Sequence, residues 1–223
     1  PSEAAACPGP LTELLAAGLR QGAPEAAPAL RGRVEGLELG AEISGLLSDA
    51  WGAGSLLLDY VAGQGCTGVE VGPLLPEGGG SGACRVRTVT YSMALPPHPF
   101  SPRTSRFSVA FRVFVEGSSL VIDTTTVTHD VPFGETFCVQ DRARLVPSVG
   151  GVAVEKAFGA VFIRSTLFRS KIVAQVQVEQ EKRFGIFMRT LEAHALRQQR
   201  RGAAPVAWPP VPGGGAPVAC RPP

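Results

Sequence analysis

Histidine, tyrosine and tryptophan are scarce in this chain of 223 residues, with three, two and two copies, and there are only five cysteines. The scarcity narrows the chemistry available. Cys7, Cys66, Cys84, Cys138 and Cys220 are odd in number and no two have C-x-x-C spacing. A disulfide framework or a zinc site is therefore not expected, and a reducing compartment is the simpler setting. His98, His129 and His194 fall in a predicted loop, at a strand end and on a predicted helix, with no ligand spacing between them. No metal and no cofactor are expected. No apolar run approaches the roughly 20 residues that a spanning helix needs. No G-x-S-x-G or P-loop occurs, and Gly78-Gly79-Gly80-Ser81-Gly82 lacks the lysine of a phosphate cradle, so it reads as a hairpin loop. The chain opens on Pro1 rather than methionine. It is expected to be a piece of a longer protein, whose targeting signals it would not display.

What is present is apolar residue in quantity. Hydrophobic residues make up 44% of the chain, enough for one domain of about 150–200 residues with tails. The 20 prolines and 27 glycines gather at the two ends and in one central loop. Residues 1–31 read as an Ala/Pro-rich linker with a marginal helix over Leu11–Leu19, residues 32–200 as the folded domain, and residues 201–223 as a Pro/Gly-rich tail. Net charge is +2, but acidic residues prevail up to about residue 140 and basic ones beyond it. Such a basic part suits anionic lipid headgroups or nucleic acid, or is an ordinary solvated helix face.

Period-2 alternation is strong in the middle of the chain. In Arg106–Val115, Phe107, Val109, Phe111, Val113 and Val115 share one face, as in a half-buried antiparallel strand. Cys84–Leu95 puts Val89, Tyr91, Met93 and Leu95 on one face. Leu120–His129, rich in Thr and Val, favours strand, with a tight turn at Gly117-Ser118-Ser119 before it. Thr136–Leu145 and Gly151–Ile163 follow. Arg33–Leu39 reads as a first strand, Glu42–Trp51 as a short helix, and Val69–Val71 as a small strand.

After Ile163 the period changes. Ser165 or Thr166 is a plausible N-cap, and no proline occurs again until Pro205. Ile172, Val173, Val176, Phe184, Phe187 and Leu191 fall on one side at helical spacing, opposite Lys171, Gln175, Lys182 and Arg189. The pattern predicts an amphipathic helix of about 30 residues. The expected fold is α+β: a curved antiparallel sheet of six or seven strands, a short N-terminal helix, and a long C-terminal helix over an apolar cavity.

Polar groups crowd at Thr128-His129-Asp130-Val131-Pro132-Phe133-Gly134-Glu135. His129, Asp130 and Glu135 are close enough for acid–base work. The structural reading, in which Thr128 and Asp130 satisfy backbone groups at a turn and Glu135 faces solvent, weighs more. Phe107, Phe111 and Phe114 would suit an RNA-stacking sheet, but no RNP-like Gly-Phe pattern accompanies them, and a core role is favoured. In Pro96-Pro97-His98-Pro99-Phe100-Ser101-Pro102-Arg103-Thr104 four prolines stiffen a loop between two strong strands. It reads either as a semi-rigid lid, with Phe100 probing a membrane and Arg103 meeting a headgroup, or as a plain connection that avoids strand pairing.

Several segments, in order, resemble the VASt domain, the StAR-related lipid-transfer module of GRAM-domain membrane contact-site proteins of the Aster and Lam type. They are Cys84–Tyr91 with its Arg-Thr strand ending in tyrosine, Phe100–Thr104 at the place of a Gly-Pro-Lys loop, and Thr128–Phe137 with its Thr-His-Asp-Val-Pro turn. Val161-Phe162 and Thr166–Ile172 follow. The resemblance covers about residues 32–198. Ser101 and Phe133 stand where the family has glycine and tyrosine, and the sheet end near Leu74 lacks the family's tryptophan.

The resemblance implies a helix-grip, StART-like fold that holds one sterol or related lipid and transfers it without catalysis. The endoplasmic reticulum and a second membrane would be the partners, reached on their cytoplasmic face through parts of the parent protein beyond this chain. Phe100, Ser101, Pro102 and Arg103 would belong to the lid, and Tyr91, Phe111, Val113, Phe162, Phe187, Met188 and Leu191 would line the pocket. The expected partners are the lipid and an anionic membrane surface, with no nucleic acid and a monomeric protein. The alternatives are a catalytic helix-grip domain acting on a small apolar substrate and an interaction module with a collapsed cavity.

Overall fold

The structure, a computed structural model, describes residues 29–47, 54–76, 84–95 and 102–200. The chain runs β1 (Ala29–Glu35), α1 (Leu39–Leu46), α2 (Leu56–Gly63), β2 (Thr67–Pro76), β3 (Arg85–Ala94), β4 (Thr104–Glu116), β5 (Ser119–Thr128), a 3-10 turn (Gly134–Thr136), β6 (Phe137–Ser148), β7 (Gly151–Phe162) and α3 (Arg169–Arg200). Three expectations shift. The first strand begins at Ala29, inside the stretch read as linker, and ends at Glu35 because Gly36 turns there at φ +67°. The first helix spans Leu39–Leu46 rather than Glu42–Trp51. A second helix, α2, was not expected at all.

The seven strands form one sheet in the order β1-β7-β6-β5-β4-β3-β2, with every neighbouring pair antiparallel. Short hairpins suit this order. Glu116 pairs with Ser119 across a turn that starts at Gly117, whose φ of +60° is what a two-residue loop demands. The two helices lie between β1 and β2, and β1 crosses to pair with β7. The register Val113–Ile122–Ala143–Lys156 aligns inward positions across four strands.

The inward face and α3 enclose the core. Val34, Val89, Phe111, Val113, Leu120, Ile122, Leu145, Val152 and Val154 come from the sheet, Leu46, Leu57 and Val61 from α1 and α2, and Phe187, Leu191 and Ala195 from α3. The helix closes tightly on β1. A Cβ at Gly32 would lie 2.6 Å from Met188 Cε, so glycine permits the approach. On the outward face Asp123 joins Arg142 at 2.6 Å and Arg112 at 3.4 Å, three residues aligned across β4, β5 and β6.

α3 has 32 residues, about 48 Å. Thr166 Oγ1 accepts from the Phe168 N–H at 3.2 Å just before it, close to the predicted cap. Gly185 is tolerated mid-helix, with only Arg189 Nη1 near its missing Cβ. The other end is tied to the short helices. The Gln198 amide takes the Glu38 N–H at 2.8 Å and gives to the Glu38 carbonyl at 3.1 Å, capping α1 from across the fold.

Candidate functional site

The grip has one end packed by α1 and α2, and another where the ends of β3, β5 and β7 meet the starts of β4 and β6. At the second end β3 stops at Ala94 and β4 starts at Thr104, paired to each other, with the Leu95 N–H on the Arg103 carbonyl at 2.8 Å. β5 stops at Thr128 and β6 starts at Phe137. β7 stops at Phe162, and the Ile163 N–H bonds the Thr136 carbonyl at 2.9 Å. The described ends of the β3–β4 connection therefore lie beside the β5–β6 and β7–α3 connections.

The residues expected to line a pocket are divided by this geometry. Tyr91, Phe111, Val113, Phe187 and Leu191 are buried in one core cluster, with Met188 half-buried against it. Tyr91 stacks on Phe107 with ring centroids 5.4 Å apart. Burial pushes its hydroxyl well above the ordinary tyrosine range, although the Arg183 charge opposes that shift. Phe187 meets Tyr60 of α2 edge-on at 5.3 Å. Phe162 is placed apart from this cluster, at the end of β7, beside Phe137 and under the Arg169 guanidinium at 4.6 Å. Pro102 and Arg103 are exposed just before β4. Phe100 and Ser101 lie outside the described residues.

The interior also holds polar groups that the sequence reading passed over. Lys156 Nζ and Asp141 Oδ1 form an ion pair at 3.3 Å, with 3% and 8% of their side chains exposed. Both occupy inward positions, at the alternation steps of Val152-Val154-Lys156-Phe158 and Val139-Asp141-Ala143-Leu145. From α3, Gln180 is 2% exposed and Arg183 stacks over Phe107 at 5.7 Å. Among the described residues, Gln180 Oε1 and Thr126 Oγ1 are buried without a hydrogen-bond partner. Each such atom costs about 1–3 kcal/mol unless something completes it. The signal was available: a charge at an inward strand position, and Gln180 and Arg183 at helical spacing from Val176 and Phe187.

The polar corner is structural. The Asp130 carboxylate accepts from the Arg106 backbone N–H at 2.9 Å and from its guanidinium at 3.0 and 3.2 Å. The side-chain bond to Arg106 is the main reason its pKa lies below the ordinary carboxylate range. His129 Nε2 sits 2.8 Å from Ser108 Oγ, and partial burial lowers its basicity. Glu135 is exposed. The left-handed residue of the turn is Phe133, at φ +65°, rather than Gly134. Gly134 is glycine for another reason: a Cβ there would collide with the Thr128 carbonyl. The half-buried thiol of Cys66 and the buried thiol of Cys138 are both pushed up to about 11, mainly by desolvation, far from nucleophilic thiolates at neutral pH.

A cleft of about 190 Å³ opens between α1, α2 and α3, lined in part by Glu42, Ser55, His194 and Arg197. None of the expected pocket residues borders it. It is smaller than the roughly 300–1,000 Å³ usual for ligand pockets. There His194 places Nδ1 2.9 Å from Glu42 Oε1 and Nε2 3.1 Å from Asp59 Oδ2, while Arg197 reaches Asp59 at 2.6 Å. These contacts join the three helices.

Residues 46–179, more than half the chain, match the family model described as VAD1 Analog of StAR-related lipid transfer domain. No curated protein matches. Solved structures that are similar include the crystal structure of Ara h 8.0201, at 16% identity over 77% of this chain and 97% of that one, with a TM-score of 0.45. A conserved protein from Geobacillus kaustophilus is 8% identical over 76% and 95%, with a TM-score of 0.43. A putative uncharacterized protein from Rhizobium leguminosarum is 11% identical over 79% and 97%, also at 0.43.

Proposed function

Because the chain belongs to the VASt family of StAR-related lipid-transfer domains, we propose that it holds one sterol or related lipid inside the grip and carries it between membranes. The endoplasmic reticulum is one of those membranes in this reading, and the domain works at the cytoplasmic face. The lipid is bound and released unchanged, with no covalent step.

One observation carries the reading. The packing between sheet and α3 is largely apolar, yet among the described residues Gln180 Oε1 and Thr126 Oγ1 are buried in it without a partner. An amphipathic lipid complements both features. Its apolar body would meet Tyr91, Phe111, Val113, Phe187, Met188 and Leu191, and its hydroxyl would complete the orphaned oxygens. Removing several hundred Å² of lipid surface from water at about 25 cal/mol per Å² contributes on the order of 10 kcal/mol before association costs. Pro102 and Arg103 would stand at the rim of the mouth.

Transfer of a fluorescent sterol between donor and acceptor vesicles tests the proposal, together with native mass spectrometry of the protein purified from cells. A co-purifying lipid and protein-dependent transfer are expected. A lipid-free protein that moves no probe would rule the reading out in favour of an interaction module.

A further inference from the structure

At the end of the grip where β5 meets β6 and β7 leads into α3, the surface carries an apolar tip that the fold does not use. Leu167 is 98% exposed, Phe168 41% and Phe133 39%. One exposed apolar residue needs no explanation, but a contiguous group does. These are contiguous: the Phe133 and Phe168 rings lie 4.8 Å apart, centroid to centroid, and Leu167 adjoins Phe168 in sequence. Phe133 moreover holds a left-handed backbone, a conformation that costs a non-glycine residue about 1 kcal/mol or more.

Cations lie beside the tip and along the connection that carries it. Lys171 Nζ lies 5.9 Å from the Phe168 ring centre, Arg169 lies over Phe162, and Arg164 is exposed in the same connection. Of the acidic groups on the β5–β6 corner, Asp130 is held by Arg106 and Glu135 is exposed. Apolar side chains at an apex with Arg and Lys set behind them suit a bilayer interface. The apolar groups enter the boundary between headgroups and acyl chains, and the cations meet phosphates.

We propose that Phe133, Leu167 and Phe168 form a membrane-insertion tip and that Arg164, Arg169 and Lys171 bind anionic headgroups around it. The choice of a bilayer rests on the lipid-carrier reading, since the tip stands at the end of the grip where β3, β5 and β7 stop. Docking there would present the mouth to the leaflet.

The test is co-sedimentation of the full chain with phosphatidylcholine vesicles, with and without phosphatidylserine, alongside binding of a fluorescent sterol in solution. Wild type is expected to bind the anionic vesicles more tightly and to lose binding as salt rises. Leu167→Asp, on a side chain too exposed to matter for folding, is expected to weaken vesicle binding by about tenfold or more. Lys171→Gln is expected to weaken it by about fivefold, and only on anionic vesicles. Neither substitution should change sterol binding in solution. Vesicle binding that depends on Leu167 in a protein that binds no sterol would uphold the tip while defeating the cargo reading. Equal vesicle binding by wild type and Leu167→Asp would overturn the proposal. So would self-association that vanishes with Leu167→Asp, which would assign the tip to a second copy of the chain.

Discussion

Lys156 Nζ stands 3.3 Å from Asp141 Oδ1 inside the grip, one strand apart and one pleat out of register, and both side chains are buried. A buried ion pair is seldom a net gain over apolar packing, but losing one member strands the other charge. Asp141→Asn and Lys156→Met should each destabilise the protein by about 3–5 kcal/mol. The double variant Asp141→Leu/Lys156→Met should recover most of that loss. Urea denaturation of the four proteins checks this. Additive single losses in the double variant would mean that the pair is not the unit.

Two glycines on β1 and β7 should behave differently under the same substitution. At Gly32 the obstruction is the flexible end of Met188, which can swing away, so Gly32→Ala should cost about 1 kcal/mol. At Gly151 a Cβ would collide with the Val34 carbonyl oxygen and lie 2.9 Å from Glu35 Cα, both backbone. Gly151→Ala should cost about 3 kcal/mol or more, because the β1–β7 pairing must shift. For a domain of this size each kcal/mol lowers the melting temperature by about 2–4 °C, so the contrast is measurable by thermal melting.

The helix junction predicts a pH response. Partial burial works against the Asp59 charge, but hydrogen bonds and attraction from Arg197 and His194 outweigh it and hold the carboxyl below the usual range. A carboxyl depressed in the folded state stabilises above its unfolded value of about 3.9 and loses that contribution as pH falls through the lower folded value. Stability should therefore decline less steeply below about pH 4 in Asp59→Asn than in wild type. Denaturation midpoints across an acid series would show it. Parallel curves for the two proteins would remove Asp59 from the account.

The sheet and α3 were legible because their apolar residues repeat at 2 and at 3.6 over long runs, with turns marked by Gly117 and Gly150. α2 was not, because Leu56-Leu57-Leu58 is a short continuous apolar run without an amphipathic period. The placement of β1 was missed because its pairing with β7, more than a hundred residues away, fixes it, and not its local pattern. The polar interior was missed for a related reason. Asp141, Lys156 and Gln180 look solvated in isolation, and only their phase relative to apolar neighbours marks them as inward.

Gln180 separates stability from binding. Its Oε1 is buried without a partner among the described residues, so the folded protein carries that desolvation alone. Gln180→Met keeps length and unbranched shape while removing the polar atoms. The variant should be more stable than wild type by about 1 kcal/mol. If the amide is kept to meet a ligand hydroxyl, sterol affinity should fall by about fivefold or more at the same time. Opposite signs in the two measurements mark a site that trades stability for recognition. Thermal melting and titration with fluorescent sterol on one preparation suffice. A loss of stability in Gln180→Met would show instead that the side chain supports the core, and unchanged affinity would place the lipid's polar end elsewhere in the grip.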